Sequence, residues 1–398
     1  MIAKRLSHVK ASLTLAITAK SSALKAQGVD VVSFGAGEPD FDTPKSVVDA
    51  AKAALDAGQT KYTPVAGTKE LRDGIAAAYK AEFGVDCSGD EVIAGVGGKQ
   101  ILYNACMALL DLGDKVLLPA PYWLSYPAQI YLAGATPVFI ETKQENDFLL
   151  QADDLRAAIV EHKPKMLILN SPSNPTGAAY SREDLFALIE VLREHPELFV
   201  LWDNIYYKLT YDGFVHYELL QLAPDLRNRV IVASGFSKSY AMTGWRLGFG
   251  IAPTNIIKAM STVQSHSTSN PTSFAQSGAV AALKLSDDFF QNMLDHFTRR
   301  RKLIIDLIEK IPHITCTKPR GSFYLLVNFN DYLQKTYEGK KINDDVDLAE
   351  FLIEHAKVAT VPGSAFGAPG YLRLSFAMSE ENIEKGIKRI AESLKALT

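Results

Sequence analysis

An α/β fold is what this sequence predicts: a large domain on a mostly parallel, seven-stranded sheet, with a smaller α+β domain attached. Three observations support it. Between about residues 45 and 290, short β-branched runs alternate with helical patterns, the order that builds parallel sheets. Most of these runs are nearly continuous in apolar residues, as strands covered by helices on both faces are. Beyond Pro312 the pattern changes to strands of a separate small unit, closed by an amphipathic helix.

Residues 1–44 read as an N-terminal arm plus a segment of the smaller domain. Lys4, Arg5, Lys10, Lys20 and Lys25 all precede the first acid, Asp30, a composition shared with transit peptides. The stretch has no arginine-rich bias and runs into the first strand without a linker, so a basic helical arm of the mature protein is expected. Residues 45–290 form the large domain. Its strand patterns are "EVIAGVG" (91–97), "KVLLPAP" (115–121), "ATPVFIET" (135–142), "KMLILNSP" (165–172), "LFVLWDNIY" (198–206), "VIVASGFSK" (230–238) and "WRLGFGIA" (245–252). Helices are predicted over 100–113 and 181–195, the second opening on a serine N-cap with acids in its first turn. A long helical run from Asp287 to Ile311 leads into residues 291–398, the smaller domain. There "GSFYLLVNF" (321–329), "VATVPGSAF" (358–366) and "YLRLSFAM" (371–378) read as strands, and the last helix runs from Glu380 to about Leu397.

Bulk properties exclude several functions. A net charge of -3 with Lys and Arg spread along the chain gives no electrostatic case for nucleic acid or a membrane surface. No apolar run approaches the roughly 18 residues that a membrane-spanning helix needs. The three cysteines, Cys87, Cys106 and Cys316, have no CxxC spacing and fit buried thiols in a reducing, cytoplasmic setting. The 8 histidines are scattered, with none paired at metal-ligand spacing, so no metal is expected.

Ligands of open α/β sheets sit beyond the carboxyl ends of the strands. Here those ends read "GGKQ", "PAPYW", "NSPSNPTG", "DNIY" and "SGFSK". Gly97 and Gly98 would let backbone amides approach an anion at a helix N-terminus, although glycine is also the default residue of any tight turn. The prolines and Gly177 of "SPSNPTG" fix the backbone around Asn174, as a rigid donor or as a self-capping turn. Asp203 closes an apolar run, where a carboxylate is costly unless paired, or else caps a helix. Tyr206 follows three residues on. Lys238 sits between two serines after another apolar run, and a desolvated lysine near a cation such as Arg246 becomes the nucleophilic amine a Schiff base requires.

The motifs "AGEPDFDTP" (36–44), "KYTP" (61–64), "GGKQ" (97–100), "PYW" (121–123), "NSPSNPTG" (170–177), "DNIY" (203–206), "SGFSKSYAMTGWRLG" (234–248) and "LRLSFA" (372–377) together resemble class I aminotransferases dependent on pyridoxal phosphate. Within them the chain is most similar to bacterial-type aspartate aminotransferases. The resemblance spans nearly the whole chain and implies roles residue by residue. Lys238 would hold the cofactor and later move a proton. Asp203 would pair with the pyridine nitrogen, and Tyr206 and Asn174 would bond the ring's 3-oxygen. Trp123 would stack on the ring. Gly98, Lys99, Gln100, Ser237 and Arg246 would hold the phosphate, with Tyr62 supplied by a second subunit of a homodimer. Arg373 and the backbone of Gly37 would take the substrate α-carboxylate. Lys99, assisted by Ser12 and Thr14, would read a distal carboxylate, unless it is a solvated lysine that complements the phosphate.

The implied activity is transamination of L-aspartate with 2-oxoglutarate by a ping-pong cycle. Two departures bear on it. Asn204 stands where the family usually has an acid, and "QSHSTSNP" (264–271) lacks an arginine that some relatives use for the distal carboxylate. Prephenate, aromatic and alanine aminotransferases are the alternatives. For prephenate, the related enzymes carry arginine about where Lys10 falls. A non-catalytic cofactor-binding regulator would need a DNA-binding domain, which the segment before Val31 is too short to supply.

Overall fold

The β-branched runs become strands because they can bury both faces at once. The computed structural model describes residues 3–9 and 13–398, with backbone only at positions 4, 5, 14 and 15. Its strands, in chain order, are β1 Val32–Ser33, β2 Val92–Gly95, β3 Lys115–Ala120, β4 Thr136–Glu141, β5 Met166–Asn170, β6 Phe199–Asp203, β7 Val230–Gly235 and β8 Gly248–Ile251. Beyond them come β9 Thr315–Cys316, β10 Tyr324–Asn328, β11 Thr336–Tyr337, β12 Lys340–Lys341, β13 Val358–Ala359, β14 Val361–Pro362 and β15 Tyr371–Ser375.

The large sheet has seven strands in the order β2-β8-β7-β6-β5-β3-β4. Only β8 runs against the rest, antiparallel to both β2 and β7. All seven strand patterns predicted between residues 45 and 290 are in this sheet. Each face packs its own core. Leu118, Ile168, Leu201 and Ile231 are buried on one side, and Leu117, Leu169, Val200, Trp202 and Val232 on the other. That alternation, one residue to each face in turn, aims Asp203 at the side of Leu201, away from Trp202.

Helix ends differ from the sequence prediction by a few residues. The helix expected from Gln100 spans Gly98–Leu109, so Gly98 lies inside its first turn. The Arg182–Glu194 helix starts on a capping box, with the Ser181 hydroxyl accepting from the Asp184 amide at 3.1 Å and the Asp184 carboxylate from the Ser181 amide at 2.8 Å. The long helix stops at Ile308, three residues before the predicted end, and the last helix stops at Leu394.

A second sheet, β14-β15-β10-β9, is antiparallel and sets Arg373 opposite Leu326. Strand β1 pairs in parallel with β13, tying the segment before Gly35 to the C-terminal part of the chain. Phe297, Phe323, Leu325, Phe376 and Ile387 belong to a third core beneath this sheet. The Asp287–Ile308 helix spans two cores. Phe290 packs on Tyr240 of the large sheet's core, and Met293 and Phe297 enter the third. Residues 13–26 form the helical arm, with Lys20 paired to Glu354 at 3.2 Å.

Candidate active site

A cavity of about 490 Å³ opens at the carboxyl edge of the large sheet. Gly98, Lys99, Trp123, Asn174, Asp203 and Tyr206 line it, joined by Gly37, Ser237, Lys238, Arg246 and Arg373. These side chains come from seven separate stretches of sequence, and strand direction is what gathers them. A larger open groove of about 1030 Å³ between Lys143 and Tyr371 contains none of them.

Lys238 follows β7 on the turn that the strand's end creates. Its ammonium donates to the Gly37 carbonyl. Burial lowers its pKa to about 8, with Arg373 and Arg246 adding to the fall and Glu38 and Asp203 opposing it. Asp203 is 5% exposed at the end of β6. It accepts the Tyr126 hydroxyl at 2.7 Å on Oδ2 and the Ile205 amide at 3.2 Å on Oδ1. Burial pushes its carboxyl up to about 6 despite those two donors. A carboxylate so placed is completed by a cationic donor in the cavity.

Arg373, 2% exposed, reaches the cavity from β15. Its Nη1 donates to Asn174 Oδ1 at 3.0 Å and its Nη2 to the Gly35 carbonyl at 3.1 Å. The guanidinium lies 4.4 Å from the Tyr324 ring and 5.0 Å from that of Phe366. No carboxylate among the described residues pairs with it. A guanidinium only donates, so Asn174 must turn its oxygen to Arg373 and keep its NH₂ for another acceptor. The Asn174 amide is itself anchored on Asn170 Oδ1 at 2.9 Å. Tyr206 donates to the Tyr324 hydroxyl at 3.2 Å, and burial raises its pKa well above the usual value.

Across the cavity, the glycine turn and Arg246 meet. Gly97 has φ +78°, and a Cβ there would lie 2.8 Å from Arg246 Nη2. A Cβ on Gly248 would strike the Gly98 nitrogen at 2.3 Å. Both positions therefore require glycine, and the reward is a guanidinium against the first turn of a helix. Arg246, itself left-handed at φ 51°, donates to the Thr243 carbonyl at 2.9 Å and has no carboxylate partner among the described residues. Lys99 is exposed overall, yet its ammonium lies 4.9 Å from the Trp123 ring, where desolvation and the charge of Arg246 lower its pKa.

Two predicted residues do not line this cavity, and two more fall outside the described side chains. Gln100 holds the turn from inside: its Oε1 accepts the Val96 amide at 2.5 Å, its Nε2 donates to Thr268, and its own amide is taken by the Gly97 carbonyl. It supports the glycine turn without facing a ligand. Tyr62 is 92% exposed and does not line its own chain's cavity. Ser12, and the side chain of Thr14, lie outside the described residues, as does Lys10. In return the structure adds Tyr126, Asn170, Tyr324 and Gly35, whose bonds to Asp203, Asn174, Tyr206 and Arg373 the motifs did not announce.

The residues suit a phosphorylated pyridine aldehyde. A near-neutral buried amine, a buried acid awaiting a cationic donor and an unpaired guanidinium beside a glycine turn match its aldehyde, ring nitrogen and phosphate. A model of the aminotransferases of class I and II matches residues 29–390. The chain belongs to that family.

It is 45% identical to a probable aspartate/prephenate aminotransferase of Rickettsia felis, over 100% of this chain and 97% of the relative. Identity is also 45% to the aspartate/prephenate aminotransferase of Cereibacter sphaeroides, over 97% and 96% of the two chains. The crystal structure of the aspartate aminotransferase from Rhizobium meliloti superposes with a TM-score of 0.96 at 42% identity, covering 100% of both chains. That of the Thermus thermophilus enzyme with maleate gives 0.92 at 39%, covering 99% of both. This aminotransferase is thus a pyridoxal-phosphate enzyme that moves an amino group between an amino acid and a 2-oxo acid.

Proposed function

We propose that the enzyme transfers the amino group of L-aspartate to 2-oxoglutarate, giving oxaloacetate and L-glutamate in a ping-pong cycle. The observation that carries this reading is a pair of cations lining the cavity with Lys238, the buried Arg373 and the exposed Lys99, with no acid among the described residues on Arg373. A dicarboxylic amino acid uses both ends, and a planar guanidinium binds the α-carboxylate through two parallel bonds.

Bound pyridoxal phosphate supplies an electron-accepting ring that takes up the charge left when the substrate Cα loses its proton. The chain's residues do the rest. Lys238, with its lowered pKa, would take the proton from the substrate Cα as base and give it back as acid. Asp203 holds the proton on the ring nitrogen. Tyr206, turning its proton from Tyr324, and the NH₂ of Asn174 would donate to the 3-oxygen, and Trp123 would cover the ring. Gly98, Lys99, Ser237 and Arg246 hold the phosphate, joined by Tyr62 from the other subunit of a homodimer working in the cytoplasm. Gly37 and Arg373 orient the α-carboxylate. The domain division at residues 45–290 and 291–398 belongs to this reading, since Arg373 would then reach the cavity from the smaller domain.

Prephenate as a second acceptor is favoured by the names of the relatives, aspartate/prephenate aminotransferases matched over almost the full length. A half-reaction screen tests both readings by following cofactor absorbance with aspartate, glutamate, alanine and phenylalanine, then with 2-oxoglutarate and prephenate. Aspartate turnover no faster than alanine turnover overturns the aspartate assignment. Inert prephenate removes the second.

A further inference from the structure

We propose that Glu218 is a positioning residue for Asp203, gripping the residues on either side of it from the opposite face of the sheet. The proposal rests on Asp203 being the cavity acid of the reading above. Asp203 faces the cavity, and Trp202 and Asn204 face the other way. Both turn to one carboxylate. Trp202 Nε1 donates to Glu218 Oε2 at 3.1 Å, and Asn204 Nδ2 donates to the same oxygen at 2.7 Å. The amide's second proton goes to the Tyr79 hydroxyl at 3.0 Å.

Glu218 and Asn204 are both fully buried, and no cation among the described residues pairs with the carboxylate. His216 stacks on Trp202 but makes no hydrogen bond through either ring nitrogen, and burial keeps it neutral. A lone buried acid is retained at a cost, so the geometry it enforces is the clue to its use. The main chain of Asp203 is held separately, its carbonyl accepting Asn170 Nδ2 at 2.9 Å and the Ser171 amide at 3.0 Å. Strand pairing thus fixes the backbone, and Glu218 fixes its rotation. Loss of the grip lets Asp203 swing from its bond to Tyr126 and off the ring nitrogen. Glu218 also stands at the N-cap of the short helix Leu219–Leu222, a structural role that the test must separate.

The test uses the holoenzyme of Glu218→Ala and Glu218→Gln. Its readouts are kcat, KM for the amino donor, Tm, and the pH midpoint of the bound cofactor's visible absorbance. In Glu218→Ala, kcat falls about tenfold to a hundredfold with KM nearly unchanged, as misplacement of a reacting group predicts. The midpoint moves by about half a pH unit or more, because the ring-nitrogen partner has shifted. Glu218→Gln, which keeps an acceptor oxygen, restores both. A lower Tm with unchanged kcat and midpoint makes Glu218 a helix cap only and overturns the proposal. If Glu218→Ala does not fold, Trp202→Phe removes one donor and keeps the bulk. It then shifts the midpoint in the same direction by a smaller amount, and no shift overturns the proposal. Asp203→Asn runs in parallel: if it changes neither readout, the reading of the cavity itself falls, and the grip with it.

Discussion

The cavity has a buried floor and an exposed rim, and they are built differently. On the floor, Asp203, Tyr206, Asn174 and Arg373 are each nine-tenths or more buried and tied to one another or to backbone. At the rim, the exposed Lys99 is held by the aromatic face of Trp123. On the proposed reading, the groups that every substrate needs stand where water cannot compete with them, and the one that would distinguish substrates, Lys99, stands where side chains are free to differ. The floor should therefore be sensitive to any change and the rim only to changes that alter recognition.

The largest effect belongs to Lys238→Ala, which should lower kcat by about 10²–10⁴-fold for every amino donor and abolish covalent retention of the cofactor. In wild-type apoenzyme, labelling of Lys238 by an amine-directed reagent should follow a midpoint near 8, below the ordinary lysine value. Arg373→Ala comes next. It leaves a substrate carboxylate without its partner, a loss of about 3–5 kcal/mol that appears in kcat/KM for dicarboxylic and neutral donors alike. Arg373→Lys should recover part of it through one arm of the fork. Lys99→Met should be mild and selective, lowering kcat/KM for aspartate about threefold to tenfold while leaving alanine unchanged, as a solvent-facing ion pair predicts. Equal losses for both donors would erase the distinction between rim and floor.

The smallest effect lies under the floor and is read in stability. Burial pushes the Glu218 carboxyl up to about 7. Because that value is raised above the unfolded one, the protonated form favours folding. This contribution is complete below the unfolded value near 4.5 and is lost as pH rises through about 7. Glu218→Gln should therefore gain stability relative to the wild type by about 1–3 kcal/mol between pH 5 and pH 8, measured by denaturant unfolding at the two pH values.

Local pattern carried most of the architecture. The seven runs of the large sheet are legible because strands buried on both faces must be apolar throughout, and strand ends are where polar residues can reappear. β1, β9 and the β11–β12 pair, each two residues long per strand, are too short to leave a period. The floor residues on strand ends were legible for the same reason. Tyr126 and Tyr324 were not. Their hydroxyls meet partners 77 and 118 positions away, and a buried tyrosine on a helix or strand looks like core until its partner is placed. Gln100 misled in the opposite sense: it sits in the turn, but its amide and side chain are spent on holding the turn's shape.

The reversed strand β8 has a consequence of its own. Running against its neighbours, it begins at the edge where they end, so the turn that carries Arg246, just ahead of Gly248, is brought to the carboxyl edge by strand direction. Gly248 stands opposite both Gly95 and Gly235, locking that start in place. One residue inserted after Gly248, with Phe249, Gly250 and Ile251 kept in register by the ladder, would push Gly248 back by one position and carry Arg246 with it. The cation would leave the glycine turn without any change to the residues around it. The same insertion after Ile251 falls beyond the ladder and leaves Arg246 where it is. In this sheet the address of a charge is written in strand direction.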